Sequence, residues 1–169
     1  PVREHLTQFA LELGSNNIYM IQKNVSLKEY TTFRIGGAAD FFSIVTNEDE
    51  LIEALNFSKK NKIPFFVLGG GSNLLVADEG YRGIVIKMNM KGVSYEENGN
   101  DVKVTAYSGE DWDKFVEETV EKGLYGLENL SYIPGTVGAS PVQNVGAYGS
   151  EAKDTIDSVY ALDVKNDEY

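Results

Sequence analysis

Apolar residues recur along the chain with two different periods, and the periods divide it into helices and strands. Leu6, Phe9, Ala10 and Leu13 stand at helical spacing before the stop Gly14-Ser15-Asn16-Asn17, so residues 1–20 read as an appended helix. Met20 is then a candidate original start, with the preceding turns an extension. DFFSIV (40–45) suits a strand. Asn47-Glu48-Asp49-Glu50 follows as a capping box, in which Asn47 and Glu50 satisfy amides at a helix start. Leu51, Ile52, Leu55 and Phe57 give that helix an apolar face, and Asn61-Lys62 ends it before Pro64. PFFVL (64–68) reads as a buried strand running into Gly69-Gly70-Gly71-Ser72-Asn73. Residues 74–77 and 83–88 are further strand candidates, separated by the turn Asp78-Glu79-Gly80.

Residues 93–107 form a predicted hairpin around Asn98-Gly99-Asn100, with Val102, Val104 and Ala106 alternating against Lys103, Thr105 and Tyr107. Asp111 can cap a second helix whose Trp112, Phe115, Val116 and Val120 face a core, and Gly123 closes it. Glu117, Glu118 and Glu121 lie off that face and read as solvated surface, not a metal site. The mixture implies an α+β or α/β architecture, without repeat, linker or low-complexity stretch.

Composition narrows the chemistry. The 169 residues carry 26 Asp+Glu against 15 Lys+Arg, a net charge of −11, which argues against nucleic acid or an anionic membrane as partner. Cysteine is absent, so disulfides, thiolate metal sites and cysteine nucleophiles are excluded. His5 is the single histidine, and a solvated surface residue on the extension is its simplest reading. No apolar run approaches a membrane span and no signal-peptide pattern opens the chain, so a cytoplasmic location is expected.

Glycine placement is more telling. Nine of 17 glycines lie in two places: Gly69, Gly70 and Gly71, and the set Gly123, Gly126, Gly135, Gly138, Gly146 and Gly149. In GGGSN, successive amides could form an anion-binding concavity, with Ser72 and Asn73 adding side-chain hydrogen bonds. The Rossmann and Walker patterns both fail, and a tight turn between strands explains GGGSN equally well. The second stretch, 133–149, offers small residues, hydroxyls and amides with almost no charge. That composition suits packing against a flat, polar-edged ligand such as a flavin or nucleotide, or else a long ordered loop closing the core. Two such loops in one small chain favour a bound cofactor.

TTFRIGGAAD (31–40), LGGGSNLLV (68–76) and GLENLSYIPGTVGASPVQNVGAYG (126–149), in this order, resemble the UDP-N-acetylenolpyruvoylglucosamine reductase (MurB) family from about Asn24 onward. The resemblance implies an α+β fold of the vanillyl-alcohol-oxidase type, with two lobes clasping an extended FAD. The lobes would be residues 21–90 and 91–169, the second incomplete and a substrate-binding domain absent. By the same resemblance, Gly69, Gly70, Gly71, Ser72 and Asn73 hold the pyrophosphate. Ile133, Pro134, Gly135, Val137, Gly138, Ser140, Asn144, Gly146 and Ala147 line the flavin side, and Arg34 and Ile35 lie near the cofactor. A salt-bridge role for Arg34 stands equally open. Glu128 is the one carboxylate of the region, and a hydrogen bond to loop backbone suits it better than acid–base work.

The family reaction uses NADPH to reduce UDP-N-acetylenolpyruvoylglucosamine to UDP-N-acetylmuramate in peptidoglycan synthesis. Its arginine, serine and glutamate fall in segments beyond Tyr169, so no catalytic residue is expected in this chain, and the UDP-sugar and NADPH would engage the missing part. A monomer is expected. A stand-alone, non-catalytic flavin- or nucleotide-binding protein is the alternative.

Overall fold

The computed structural model describes residues 21–164, which fall into two units divided between Met90 and Lys91. The appended helix expected over residues 1–20, with His5, lies outside the described residues.

In the first unit, β1 (Ile21–Ser26), β2 (Ala38–Val45), β3 (Phe65–Leu68) and β4 (Tyr81–Met88) form one sheet in the order β1-β2-β4-β3. β1 is antiparallel to β2, whereas β2, β4 and β3 are mutually parallel. Helix α1 (Glu48–Asn61) therefore crosses from β2 to β3, leaving between them the slot that β4 fills. Alternation along the central strands sends Val45, Ile84 and Ile86 to the face that packs on Ala54, Leu51 and Leu55 of α1. Phe42 and Val85 take the other face, under Leu27, Tyr30, Leu74 and Val76.

The caps of α1 follow the sequence closely. Asn47 Oδ1 accepts from the Glu50 N–H at 2.9 Å, and the Glu50 carboxylate reaches back to the Thr46 N–H at 2.6 Å. The helix ends at Lys62, which adopts a left-handed conformation with φ 53°.

Two expectations in this unit need correction. The apolar run 64–68 is not a buried strand: β3 pairs only with β4, and Phe65, Phe66 and Val67 are exposed while Leu68 alone is buried. A run of apolar residues cannot tell an edge strand from a central one. Residues 74–77 are extended but form no strand; Leu74 and Val76 pack inward and Leu75 outward, as in a strand, without a ladder partner.

In the second unit, β5 (Val93–Asn98) and β6 (Asp101–Ala106) make the expected hairpin, with Gly99 at φ 67° in its turn. Helix α2 (Trp112–Glu121) starts at Asp111, whose carboxylate accepts from the Lys114 N–H at 3.1 Å. Trp112, Phe115 and Val116 form the core with Leu130, Val145 and Ala152, and the Trp112 indole donates to the Leu130 carbonyl at 2.8 Å. Val120, expected in this core, is 48% exposed; Thr119 is buried in its place and bonds back to the Val116 carbonyl. Glu118, read as solvated, is half-buried and accepts from the Tyr95 hydroxyl at 2.8 Å. Burial and that bond push the Tyr95 hydroxyl pKa up to about 12. A two-stranded ribbon of β7 (Gly146–Ala147) and β8 (Ser150–Glu151) completes the unit. Both units mix helix and sheet, as the α+β reading requires.

Candidate cofactor site

The first candidate loop belongs to the first unit. At the end of β3 the chain turns through Gly69, Gly70 and Gly71, and the Lys87 ammonium donates to the Gly69 carbonyl. Gly71 is buried with φ 71°, and a Cβ there would lie 1.9 Å from the Tyr30 carbonyl oxygen. Only glycine fits such a position. The Gly71 carbonyl accepts from the Thr32 N–H at 3.1 Å. By contrast, the N–H groups of Gly70 and Gly71 have no acceptor among the described residues. Ser72 and Asn73 form the turn that follows.

From this turn, residues 71–77 run side by side with residues 32–37. Thr32 bonds to Gly71, Gly36 packs on Val76, and the Gly37 N–H donates to the Ala77 carbonyl at 2.9 Å. Two of the sequence motifs thus form one double loop. Arg34 sits on it in a left-handed conformation, φ 53°, with its N–H on the Thr31 carbonyl. Its side chain is exposed and makes no ion pair among the described residues. Ile35 beside it is exposed too.

The second candidate loop belongs to the second unit, where residues 133–149 are pinned to residues 108–112. Trp112 N–H donates to Gly135, Val137 N–H to Glu110, and Gly138 N–H to Ser108 at 3.0 Å. A Cβ on Gly138 would lie 2.5 Å from Ser108 Cβ, so this close approach also depends on glycine. The Ser140 hydroxyl is buried and donates to the Val137 carbonyl at 2.8 Å. An open cleft of about 620 Å³ is lined by Ile133, Asn144, Gly146 and Ala147 among the expected residues. Pro134, Gly135, Val137, Gly138 and Ser140 do not line it; they build the loop behind it.

Gln143, Val145 and Gly149, within the stretch 133–149, also line the cleft, as do Ser150 and Glu151, which pattern reasoning missed. A signal was present: Tyr148-Gly149 is a two-residue hairpin turn, with both φ values positive, that folds Glu151 back beside Gly146. Asn144 is held by this return, its Oδ1 accepting from the Lys153 N–H at 3.1 Å. Lys153 pairs with Glu151 and, together with Asn144, lowers the Glu151 carboxyl pKa. The Gly126 N–H, 2.6 Å away, likewise lowers that of Glu128. Both carboxylates are therefore ionised at neutral pH and tied to their own loops, which suits neither for proton donation. No cluster of His, Asp or Glu able to hold a metal occurs among the described residues, and no described helix is long and apolar enough to cross a membrane.

Glycine-dependent loops with unpartnered amides, carried on mixed α+β units, are the equipment of a nucleotide-cofactor binder. The FAD binding domain family matches residues 39–168, and the chain belongs to it. Its relatives include two UDP-N-acetylenolpyruvoylglucosamine reductases. That of Thermobifida fusca is 46% identical over 142 residues, covering 83% of this chain and 40% of the relative. That of Pseudomonas aeruginosa is 46% identical over 144 residues, covering 85% of this chain and 42% of the relative. The chain thus spans well under half the length of these relatives. Among solved structures, the Thermus caldophilus reductase (MurB) superposes with a TM-score of 0.60 at 33% identity, covering 78% of this chain and 45% of that one. A solvent-stable cholesterol oxidase gives 0.58 at 16% identity, covering 79% and 26%, a likeness of fold alone.

Proposed function

We propose that this chain is the FAD-binding part of an NADPH-dependent reductase that converts UDP-N-acetylenolpyruvoylglucosamine to UDP-N-acetylmuramate in bacterial peptidoglycan synthesis, and so serves cell-wall building, cell shape and division. The observation that carries the cofactor reading is Gly71: buried, confined to a conformation only glycine tolerates, and with an N–H that no acceptor among the described residues satisfies. A buried amide without a partner is rare and asks for a ligand oxygen. Net charge −11 excludes attraction of an anion by a basic surface, whereas local amides need no such surface.

In this reading Gly69, Gly70, Gly71, Ser72 and Asn73 hold the pyrophosphate, with Arg34 and Ile35 beside them on the double loop. Residues 21–90 and 91–169 serve as the two cofactor lobes. Ile133, Asn144, Gly146 and Ala147 meet the flavin, while Pro134, Gly135, Val137, Gly138 and Ser140 shape the loop that presents them. Bound FAD supplies reversible hydride transfer; the chain's residues bind and orient it. With Glu128 and Glu151 ionised and tied to backbone, the protonating and enolate-stabilising groups come from elsewhere in the protein. The UDP-sugar and NADPH are engaged there as well. The protein works in the cytoplasm as a monomer, without nucleic-acid or membrane partners.

Titration of the purified chain with FAD tests the proposal. The expected result is saturable quenching of flavin fluorescence with a perturbed visible band; a folded sample that binds no FAD would overturn it.

A further inference from the structure

Four buried side-chain hydroxyls in the described residues lack any hydrogen-bond partner: those of Thr31, Ser43, Ser108 and Thr136. Thr31 stands apart because of its neighbour. It is 6% exposed, and its Cα lies 3.2 Å from where a Gly71 Cβ would be. The next residue, Thr32, bonds to the Gly71 carbonyl. The ring of Tyr30, on its other side, is packed on Phe42 with centroids 4.4 Å apart, so the backbone at Thr31 is held on both flanks.

Thr31 Oγ1 therefore stands beside the buried, unpartnered N–H of Gly71, with the exposed N–H of Gly70 next to it in the chain. Two of these can only donate, and a hydroxyl can donate as well. Burying the Gly71 amide and the Thr31 hydroxyl unbonded is penalised, and no carbonyl or carboxylate among the described residues relieves it. The complement to several donors is a group with several acceptor oxygens. The exposed, unpaired guanidinium of Arg34, three residues on, adds the matching charge.

We infer that the Thr31 hydroxyl is a further binding group for the cofactor's pyrophosphate, donating to a phosphate oxygen beside the Gly70 and Gly71 amides. This rests on the FAD reading given above and deepens it by one residue outside the glycine loop. Ser43 supplies an internal contrast: it is equally orphaned, but alternation along β2 places it opposite Phe42, on the sheet face that α1 covers.

The experiment is FAD titration of the chain with Thr31→Val, Thr31→Ser and Ser43→Ala, each paired with a thermal melt without FAD. Thr31→Val keeps the shape and removes the hydroxyl. It should raise the FAD Kd about tenfold or more, the loss expected for a hydrogen bond to a charged group. The same change should leave Tm unchanged or raised, because the ligand-free protein sheds an unsatisfied polar atom. Thr31→Ser should bind FAD within about threefold of the parent, and Ser43→Ala should leave the Kd unchanged. A Thr31→Val Kd equal to the parent's would overturn the inference while leaving the cofactor reading intact. A lowered Tm with equal loss of binding in Thr31→Val and Thr31→Ser would assign the hydroxyl to the fold and overturn it too. A parent chain that binds no FAD would remove the cofactor reading, and this inference with it.

Discussion

The backbone of Gly71 passes so close to Tyr30 that a methyl group on it would sit 1.9 Å from the Tyr30 carbonyl oxygen. Gly99 has nearly the same dihedral, φ 67° against 71°, yet nothing lies within 4 Å of its would-be Cβ. The two positions therefore separate the conformational cost of a side chain from its steric cost. Gly99→Ala should lose about 1 kcal/mol, the price of a left-handed alanine. Gly71→Ala should lose about 2–4 kcal/mol, because overpacking against backbone is added. Chemical denaturation of both variants checks this, and equal losses would mean that the Tyr30 contact relaxes freely.

Gly138 makes the corresponding approach in the second unit, with Ser108 Cα and Cβ within 2.8 Å of its would-be Cβ and φ outside the left-handed region. Here the obstacle is purely steric. Gly138→Ala should force the Gly138–Ser108 hydrogen bond apart and destabilise the unit by about 1–3 kcal/mol. Since residues 133–149 hang on that bond and its two neighbours, hydrogen exchange should rise across the loop while β1–β4 keep their protection. Unchanged exchange in the loop would refute the idea that this contact pins it.

The contrast between particular residues explains what could be read beforehand. Trp112, Phe115 and Val116 were legible as core because helical spacing alone puts them on one side. Val120 was not, because hydrophobicity outranks Thr119 in any pattern, whereas Thr119 hides its hydroxyl on the Val116 carbonyl and can be buried. Strand β3 was legible as a strand but not as an edge, since edge position depends on β4 arriving later to fill the slot beside β2. The glycine loop was visible as a loop. Its alliance with residues 32–37 was not, because those hydrogen bonds join segments about forty residues apart and leave no local period. Glu151 reached the cleft through the Tyr148-Gly149 turn, a signal short enough to pass as an ordinary bend.

The two helices end in the same hydrogen-bond pattern with different residues at its centre. After α1, Lys62 N–H bonds to Lys59 and Ile63 N–H to Ser58; after α2, Gly123 N–H bonds to Val120 and Leu124 N–H to Thr119. Both central residues are left-handed, φ 53° for Lys62 and 71° for Gly123. Glycine is the residue this motif favours. Lys62→Gly should therefore stabilise the chain, by about 0.5 kcal/mol once the added freedom of the unfolded chain is deducted. Gly123→Ala, with open space around its Cβ, should destabilise by about 1 kcal/mol. Opposite signs in paired thermal melts are the expected result; a destabilising Lys62→Gly would show that the lysine stem contributes more than its backbone strain.

Glu50 ties the start of α1 to pH. Its carboxylate takes the Thr46 N–H at 2.6 Å and the Thr46 hydroxyl at 2.8 Å, and the backbone bond in particular lowers its pKa below the ordinary 4.5. A carboxyl with a depressed native pKa contributes stability that is full above its unfolded value and lost as pH falls through the native one. Replacing it by Gln keeps the size and an acceptor oxygen but removes the charge that favours the helix N-terminus. At pH 7, Glu50→Gln should cost about 0.5–1 kcal/mol, kept small because solvent screens this partly exposed site. At acid pH, once the parent's Glu50 is protonated as well, the gap between parent and variant should close. Urea unfolding at the two pH values measures it directly. A gap of the same size at both would mean that shape, not charge, makes Glu50 useful at this cap.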